Sequence, residues 1–177
     1  LEERPGREGP FALFLSWGPP HDPLDSAPER FRALYSPEQI ALRSNVPAAA
    51  ADRARRDLAG YYAHCSALDA CFGTLLETLN RLDLEEDTVV VFTSDHGDML
   101  GSHGCWRKQW PFEESIRVPF LLRWPAGLGR TPRRLAAPIN SPDVMPTLLS
   151  LCGAPVPDTA EGCDFSPLLL RGEPVDD

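Results

Sequence analysis

The feature that most restricts how this chain can fold is a stripe of eight residues: Leu58, Tyr61, Cys65, Leu68, Phe72, Leu75, Leu79 and Leu82. They follow one another at alternating steps of three and four. Such spacing lines one side of an α-helix and no side of a strand. The expected helix runs from about Asp52 to Leu82, with Asp52 as its N-cap. A helix that is apolar on one face needs a second layer to bury that face. Asp69 sits beside the stripe and reads as a carboxylate on the helix flank, not as a catalytic group.

Three short apolar runs can supply the second layer. They are "PFALFLSW" (Pro10 to Trp17), "DTVVVFTS" around Thr88–Ser94, and "VPFLLRW" (Val118 to Trp124). The second is continuous and β-branched, the pattern of a strand buried in a parallel sheet. The expected architecture is α/β, with the three strands in one sheet and the long helix packed on a face. "GPPHDPLDSAP" must be loop, because its four prolines forbid regular structure. Pro28–Leu34 can hold a short helix. "SPDVMPTLLSLCG" reads as another, with Ser141 as cap, Pro142 in the first turn and Gly153 as stop. Beyond Cys152 the chain is Pro-rich and weakly periodic, and no second domain is expected.

Charge narrows the partners. A formal net charge of −9 disfavours nucleic acid and anionic membrane surfaces, both of which need a positive face. The apolar run Phe11–Leu15 is far too short to span a bilayer. The five cysteines, Cys65, Cys71, Cys105, Cys152 and Cys163, include no CxxC pair and read mostly as free thiols. The chain opens on Leu1, not Met, and shows no leader pattern. The expectation is that it begins inside a longer protein, which leaves the compartment open.

The chemistry concentrates in "VVVFTSDHGDMLGSHGCW", Val89 to Trp106. Ligands of parallel α/β sheets gather beyond the carboxyl ends of strands. Asp95 and His96 fall there, and a carboxylate beside an imidazole can hold a divalent cation. Gly97 would let the backbone turn sharply after them. By spacing alone, a polar turn explains the pair as well as a metal site does. Further groups shift that balance. His21 lies in "PPHDP" after the first run, Lys108 lies among aromatics in "CWRKQW", and His103 could brace the loop. Converging on one edge, His21, Asp95, His96 and Lys108 would form a pocket for a tetrahedral oxyanion.

The segment "FTSDHGDMLGSHGCWRKQWPFEESIRVPFLLRWPAG" resembles the C-terminal half of the catalytic domain of type I sulfatases, in the alkaline-phosphatase-like superfamily. "FALFLSWGPPHDP", "LAGYYAHCSALDACFGTLLETL" and "SPDVMPTLLSLCGAP" resemble further family segments in the same order, so the similarity covers nearly the whole chain. It implies an alkaline-phosphatase-like layered sheet with helices packed on it, present over residues 1–177 as one partial domain. It implies hydrolysis of a small-molecule sulfate ester by the intact protein. Asp95 and His96 match the family's late metal-ligand pair, which takes Ca²⁺ in most members and Mn²⁺ or Zn²⁺ in some. Lys108 matches a lysine that contacts the ester oxygens. His21 matches a histidine that binds the sulfate and assists the leaving group. His103 falls at a recurrent loop position with a supporting role behind the site.

The resemblance also shows what is missing. The family's nucleophile is a formylglycine made from Cys or Ser in Cys/Ser-x-Pro-x-Arg, and two metal aspartates lie nearby in the N-terminal half. None of the five cysteines fits that pattern. "SAPER", Ser26 to Arg30, fits it by letter. It lies after the His21 segment, whereas the family nucleophile precedes it, and "FRALY" lacks the expected Thr-Gly ending. The expectation is a chain that lacks the nucleophile half and is inactive alone. Two other readings stay open. One is a phosphonate or phosphate ester hydrolase of the same superfamily; the other is a binding protein that kept the fold without the chemistry.

Overall fold

The apolar stripe does form a helix. In the computed structural model, which describes Leu1 and residues 9–173, α2 runs unbroken over Ala51–Arg81. It follows the short α1, Glu29–Arg32. The cap differs from expectation: Ala50 occupies the N-cap position, and no side chain bonds there. Asp52 sits inside the first turn, where its carboxylate meets the positive end of the helix dipole.

The chain divides into two compact units. The first comprises Leu1–Leu82 and His96–Val118, the second Asp83–Asp95 and Pro119–Asp177.

In the first unit Leu58 and Ala59 of α2 pack with Ile40 and Leu100, and Leu24, Tyr35, Leu42 and Tyr61 close around them. The buried face of α2 carries Ala54, Leu58, Ala59, Ala63, His64 and Leu79. Small residues there let neighbouring backbone approach the helix closely. Leu68, Phe72 and Leu75 are half-buried and Asp69 is exposed, as a flank residue would be. The short α3, Glu113–Ile116, completes the unit.

The second unit holds β1 (Val90–Thr93) and β2 (Phe120–Arg123). They pair antiparallel, with Val91 opposite Leu122 and Phe92 opposite Leu121. After them come α4 (Pro125–Leu128), α5 (Ser141–Leu151) and α6 (Ser166–Arg171). Asp143 at the start of α5 is buried and fully used. Its carboxylate accepts the Asn140 N–H at 2.6 Å and the Cys163 N–H at 2.8 Å. Thr147, a turn later, accepts the Phe165 N–H at 2.9 Å. Two buried oxygens thus pin the otherwise aperiodic Cys163–Phe165 segment onto α5. The N-cap of α5 is Asn140, one residue before the Ser141 expected from the sequence.

Two strand expectations need correction. The continuous β-branched run suggested a parallel partner, whereas β1 and β2 are antiparallel. β-branched content specifies an extended, buried backbone but not the direction of its neighbour. Residues 10–17 are not a strand: among the described residues the sheet has two strands, β1 and β2. Phe14 is 90% exposed, and Phe11, Leu13, Leu15 and Trp17 are exposed with it. An apolar run predicts burial, but a strand also needs a neighbour's backbone to complete its hydrogen bonds.

Candidate active site

Two loops of the first unit meet through their side chains. One follows Trp17 and carries His21, whose N–H bonds back to the Gly18 carbonyl at 3.1 Å. The other runs from His96 to Gln109 and carries Lys108. Its backbone is unusual: Leu100, His103, Arg107 and Gln109 all have positive φ, between 43° and 75°. Non-glycine residues held there cost on the order of 1–3 kcal/mol each and persist only where surrounding bonds determine them. Asp98 provides such bonds. Its Oδ1 accepts the N–H of Leu100 and that of Arg107, both at 3.0 Å. Met99 N–H bonds the Arg107 carbonyl at 2.9 Å and Gly101 N–H the Cys105 carbonyl at 2.8 Å. Asp98, within the Val89–Trp106 stretch, is therefore the internal brace of this loop.

Gly97 has a different reason from the one expected. A Cβ at that position would stand 2.1 Å from the Glu114 carbonyl oxygen. The loop lies directly on α3, bonded from Gly97 N–H to Ser115 O at 2.8 Å. Close approach, not a sharp turn, requires glycine here.

At the meeting point Lys108 Nζ lies 2.6 Å from His21 Nε2. An ammonium can only donate, so Nε2 accepts and the ring proton belongs on Nδ1. Nδ1 faces the Asp22 carbonyl at 3.4 Å, which agrees with that tautomer. The His96 ring stands edge-on to His21, with centroids 6.2 Å apart at 71°. His96 Nδ1 donates to the Gly97 carbonyl at 2.8 Å, which puts the ring's lone pair on Nε2. Arg107 and Asp22 add an ion pair at 3.2 Å beside the lysine–histidine contact. Sequence reading missed that pair; the adjacency of Asp22 to His21 and of Arg107 to Lys108 was the available signal.

The remaining two candidates have contacts of their own. Asp95 ends the part of the second unit that follows β1, and its Oδ1 accepts from Ser94 Oγ at 3.3 Å. His103 makes its contacts within the first unit. Its ring stacks on Phe112 with centroids 4.3 Å apart. Asn45 Nδ2 donates to His103 Nε2 at 3.1 Å and to Glu114 Oε1 at 2.7 Å. The Asn45 amide, foremost among its partners, holds the Glu114 carboxyl below the usual carboxylate range.

Comparison with known proteins identifies the family of this chain. The sulfatase family model matches residues 2–154, and the chain belongs to that family. It is 41% identical over its whole length to an ulvan-active sulfatase of Formosa agariphila, of which it covers 35%. Its fold matches the yidJ protein of Bacteroides fragilis with a TM-score of 0.88 at 34% identity, over 97% of this chain and 39% of that one. It also matches the phosphonate monoester hydrolase of Agrobacterium radiobacter with a TM-score of 0.70 at 25% identity, over 86% and 37%. The chain spans about a third of the length of the curated relatives it matches. These matches make the fold alkaline-phosphatase-like, present here in part.

The family implies a divalent metal. The donor types of Asp95 and His96 suit one: a carboxylate oxygen, and an imidazole whose Nε2 carries the lone pair. Among the described residues no three His, Cys, Asp or Glu side chains are grouped to hold an ion.

Proposed function

We propose that this chain forms the oxyanion-gripping part of a sulfate-ester hydrolase whose nucleophile and remaining metal ligands are supplied by other sequence of a longer polypeptide. The observation that carries the reading is the Lys108–His21 contact at 2.6 Å, with His96 beside it, in a chain of the sulfatase family. Asp95 and His96 would hold one side of a divalent cation, most readily Ca²⁺, with Mn²⁺ or Zn²⁺ as alternatives. When bound, that ion supplies positive charge against the ester oxygens.

The chain's own residues do the rest. Lys108 offers a charge and three N–H donors to a sulfate oxygen. An ester entering between Lys108 and His21 takes over the lysine's hydrogen bond and exposes His21 Nε2 to the bridging oxygen. Once the ring takes up a second proton from solvent at that nitrogen, the imidazolium can pass it to the departing alcohol, the ordinary work of a general acid. Arg107, paired with Asp22, keeps the two loops in register. His103 supports the loop from behind through Asn45 and Phe112.

The likeness to a phosphonate monoester hydrolase favours a second reading, since a phosphonate ester is also a tetrahedral anion that Lys108 and His21 could grip. Turnover of 4-nitrophenyl sulfate and of a 4-nitrophenyl phosphonate by the intact, metal-loaded polypeptide separates the two. The proposal expects the sulfate to be preferred in kcat/KM. Preference for the phosphonate would favour the second reading.

A further inference from the structure

We infer that one polar face of α2 positions both loops of the site, and that His64 is the residue that sets His21. The inference rests on the functional reading above. Arg53, Asp57, Gly60 and His64 are spaced four, three and four apart and so share one side of the helix. Each contacts one of the two loops.

At one end Trp106 Nε1 donates to Asp57 Oδ2 at 2.8 Å, and the Arg53 guanidinium lies 4.0 Å above the Trp106 ring. Trp106 is two residues before Lys108. At the other end His64 is buried, 3% exposed, and its Nε2 reaches the Pro23 carbonyl at 3.2 Å and Ser26 Oγ at 3.3 Å. Ser26 spends its own proton on the same carbonyl at 2.7 Å, so its oxygen can only accept from His64. The His64 N–H is therefore shared between two acceptors. Pro23 is two residues after His21. Between the ends, a Cβ on Gly60 would come within 2.1 Å of the Leu24 carbonyl oxygen. The chain after His21 lies flat on the helix because position 60 has no side chain.

A buried histidine with a bonded N–H could serve stability alone. The positions of its acceptors argue for more. The helix holds each loop two residues from the side chain that would touch the ester, and those side chains then meet at 2.6 Å. Misplacing such a group by an ångström can cost about 10²-fold in rate. His64 does not reach the substrate in this account; it acts through His21.

The test uses the intact polypeptide, metal-loaded and labelled with ¹⁵N-histidine. His64→Leu removes the donor and leaves an apolar side chain of comparable size in its place. His64→Gln restores an N–H at the position of Nε2. Ser26→Ala alters the exposed end of the clamp without touching the core. His64→Leu should lower kcat for 4-nitrophenyl sulfate about 10²-fold with KM within about twofold, and should shift the ring-nitrogen signals of His21. His64→Gln should recover most of both, and Ser26→Ala should move the His21 signals in the same direction by less. Two results would overturn the inference. In one, the His21 signals stay as in wild type in both His64→Leu and Ser26→Ala. In the other, kcat is as low in His64→Gln as in His64→Leu. Should wild type not cleave the sulfate at all, the functional reading falls, and the His21 signals still decide whether His64 sets that ring.

Discussion

Lys108 donates to His21 across 87 positions of sequence, with Nζ 2.6 Å from Nε2. Neither residue carries much meaning alone. The contact exists because two loops, one Pro-rich and one rich in left-handed residues, are both held on α2 and tied to each other by Arg107 and Asp22.

Metal binding should depend on the consecutive donors Asp95 and His96. Asp95→Ala removes a carboxylate, the donor type that hard dications prefer. Calorimetric titration of the intact polypeptide with Ca²⁺ should show a marked loss of affinity in Asp95→Ala and a smaller one in His96→Asn, which keeps an oxygen donor. Unchanged affinity in Asp95→Ala would remove that residue from the metal site.

The Asn45–Glu114 bond makes an acid-sensitive clamp. Glu114 has its carboxyl held below the ordinary value of 4.5, chiefly by the Asn45 amide. A depressed folded-state value means stability that is present above the ordinary carboxylate range and lost as pH falls through and below it. The melting temperature of wild type should therefore exceed that of Glu114→Gln at pH 7, and the gap should narrow as pH drops from 5 towards 3. A gap that stays constant over that interval would show that the Glu114 charge does not hold the loop.

Tyr61 should mark the alkaline side. Burial, then the neighbouring Cys65 and Asp98, pushes its hydroxyl up to about 12. A raised folded-state value gives stability that is complete below pH 10 and lost as pH rises towards 12. Tyr61→Phe should flatten that part of the pH–stability curve, measured by urea denaturation. An identical slope in both proteins would contradict the assignment.

The same burial governs the thiols. Cys71 and Cys152 are exposed, whereas burial raises Cys65 above the ordinary thiol value. Because the thiolate is the reactive form, a disulfide reagent at pH 8 should label Cys71 and Cys152 well before Cys65. Mass spectrometry of the time course reads the order directly, and early labelling of Cys65 would overturn it.

What could be read in advance followed what each pattern encodes. The α2 stripe gave its helix to within a residue at each end, because three-four spacing fits no other element. The runs at 88–94 and 118–124 contain the strands Val90–Thr93 and Phe120–Arg123, since short apolar runs bounded by turn residues fit an extended, covered backbone. Their antiparallel pairing was hidden, because direction is set by contacts distant in sequence. The run at 10–17 misled for the same reason: apolarity says nothing about a hydrogen-bonding neighbour. Of the four residues expected to converge, His21, Asp95, His96 and Lys108, the structure places His21 against Lys108 and His96; imidazoles and a lysine in polar stretches beside apolar runs are chemically conspicuous. His64 and Asp57 could not, because on a helix they look like any polar residue beside an apolar stripe. The role inferred for them rests on which carbonyl or indole each one meets.

The central claim is that Lys108 and His21 together grip a sulfate ester. The measurement that tests it most directly is steady-state hydrolysis of 4-nitrophenyl sulfate by the intact, metal-loaded polypeptide, its Lys108→Ala and His21→Ala variants, and the 177-residue chain alone. Removing one pre-placed charge or donor at a developing oxyanion costs about 10²–10³-fold. The account predicts metal-dependent turnover in wild type, a loss of that size in each variant, and no turnover by the isolated chain. Variants that stay within about twofold of wild type, or robust turnover by the isolated chain, would contradict it.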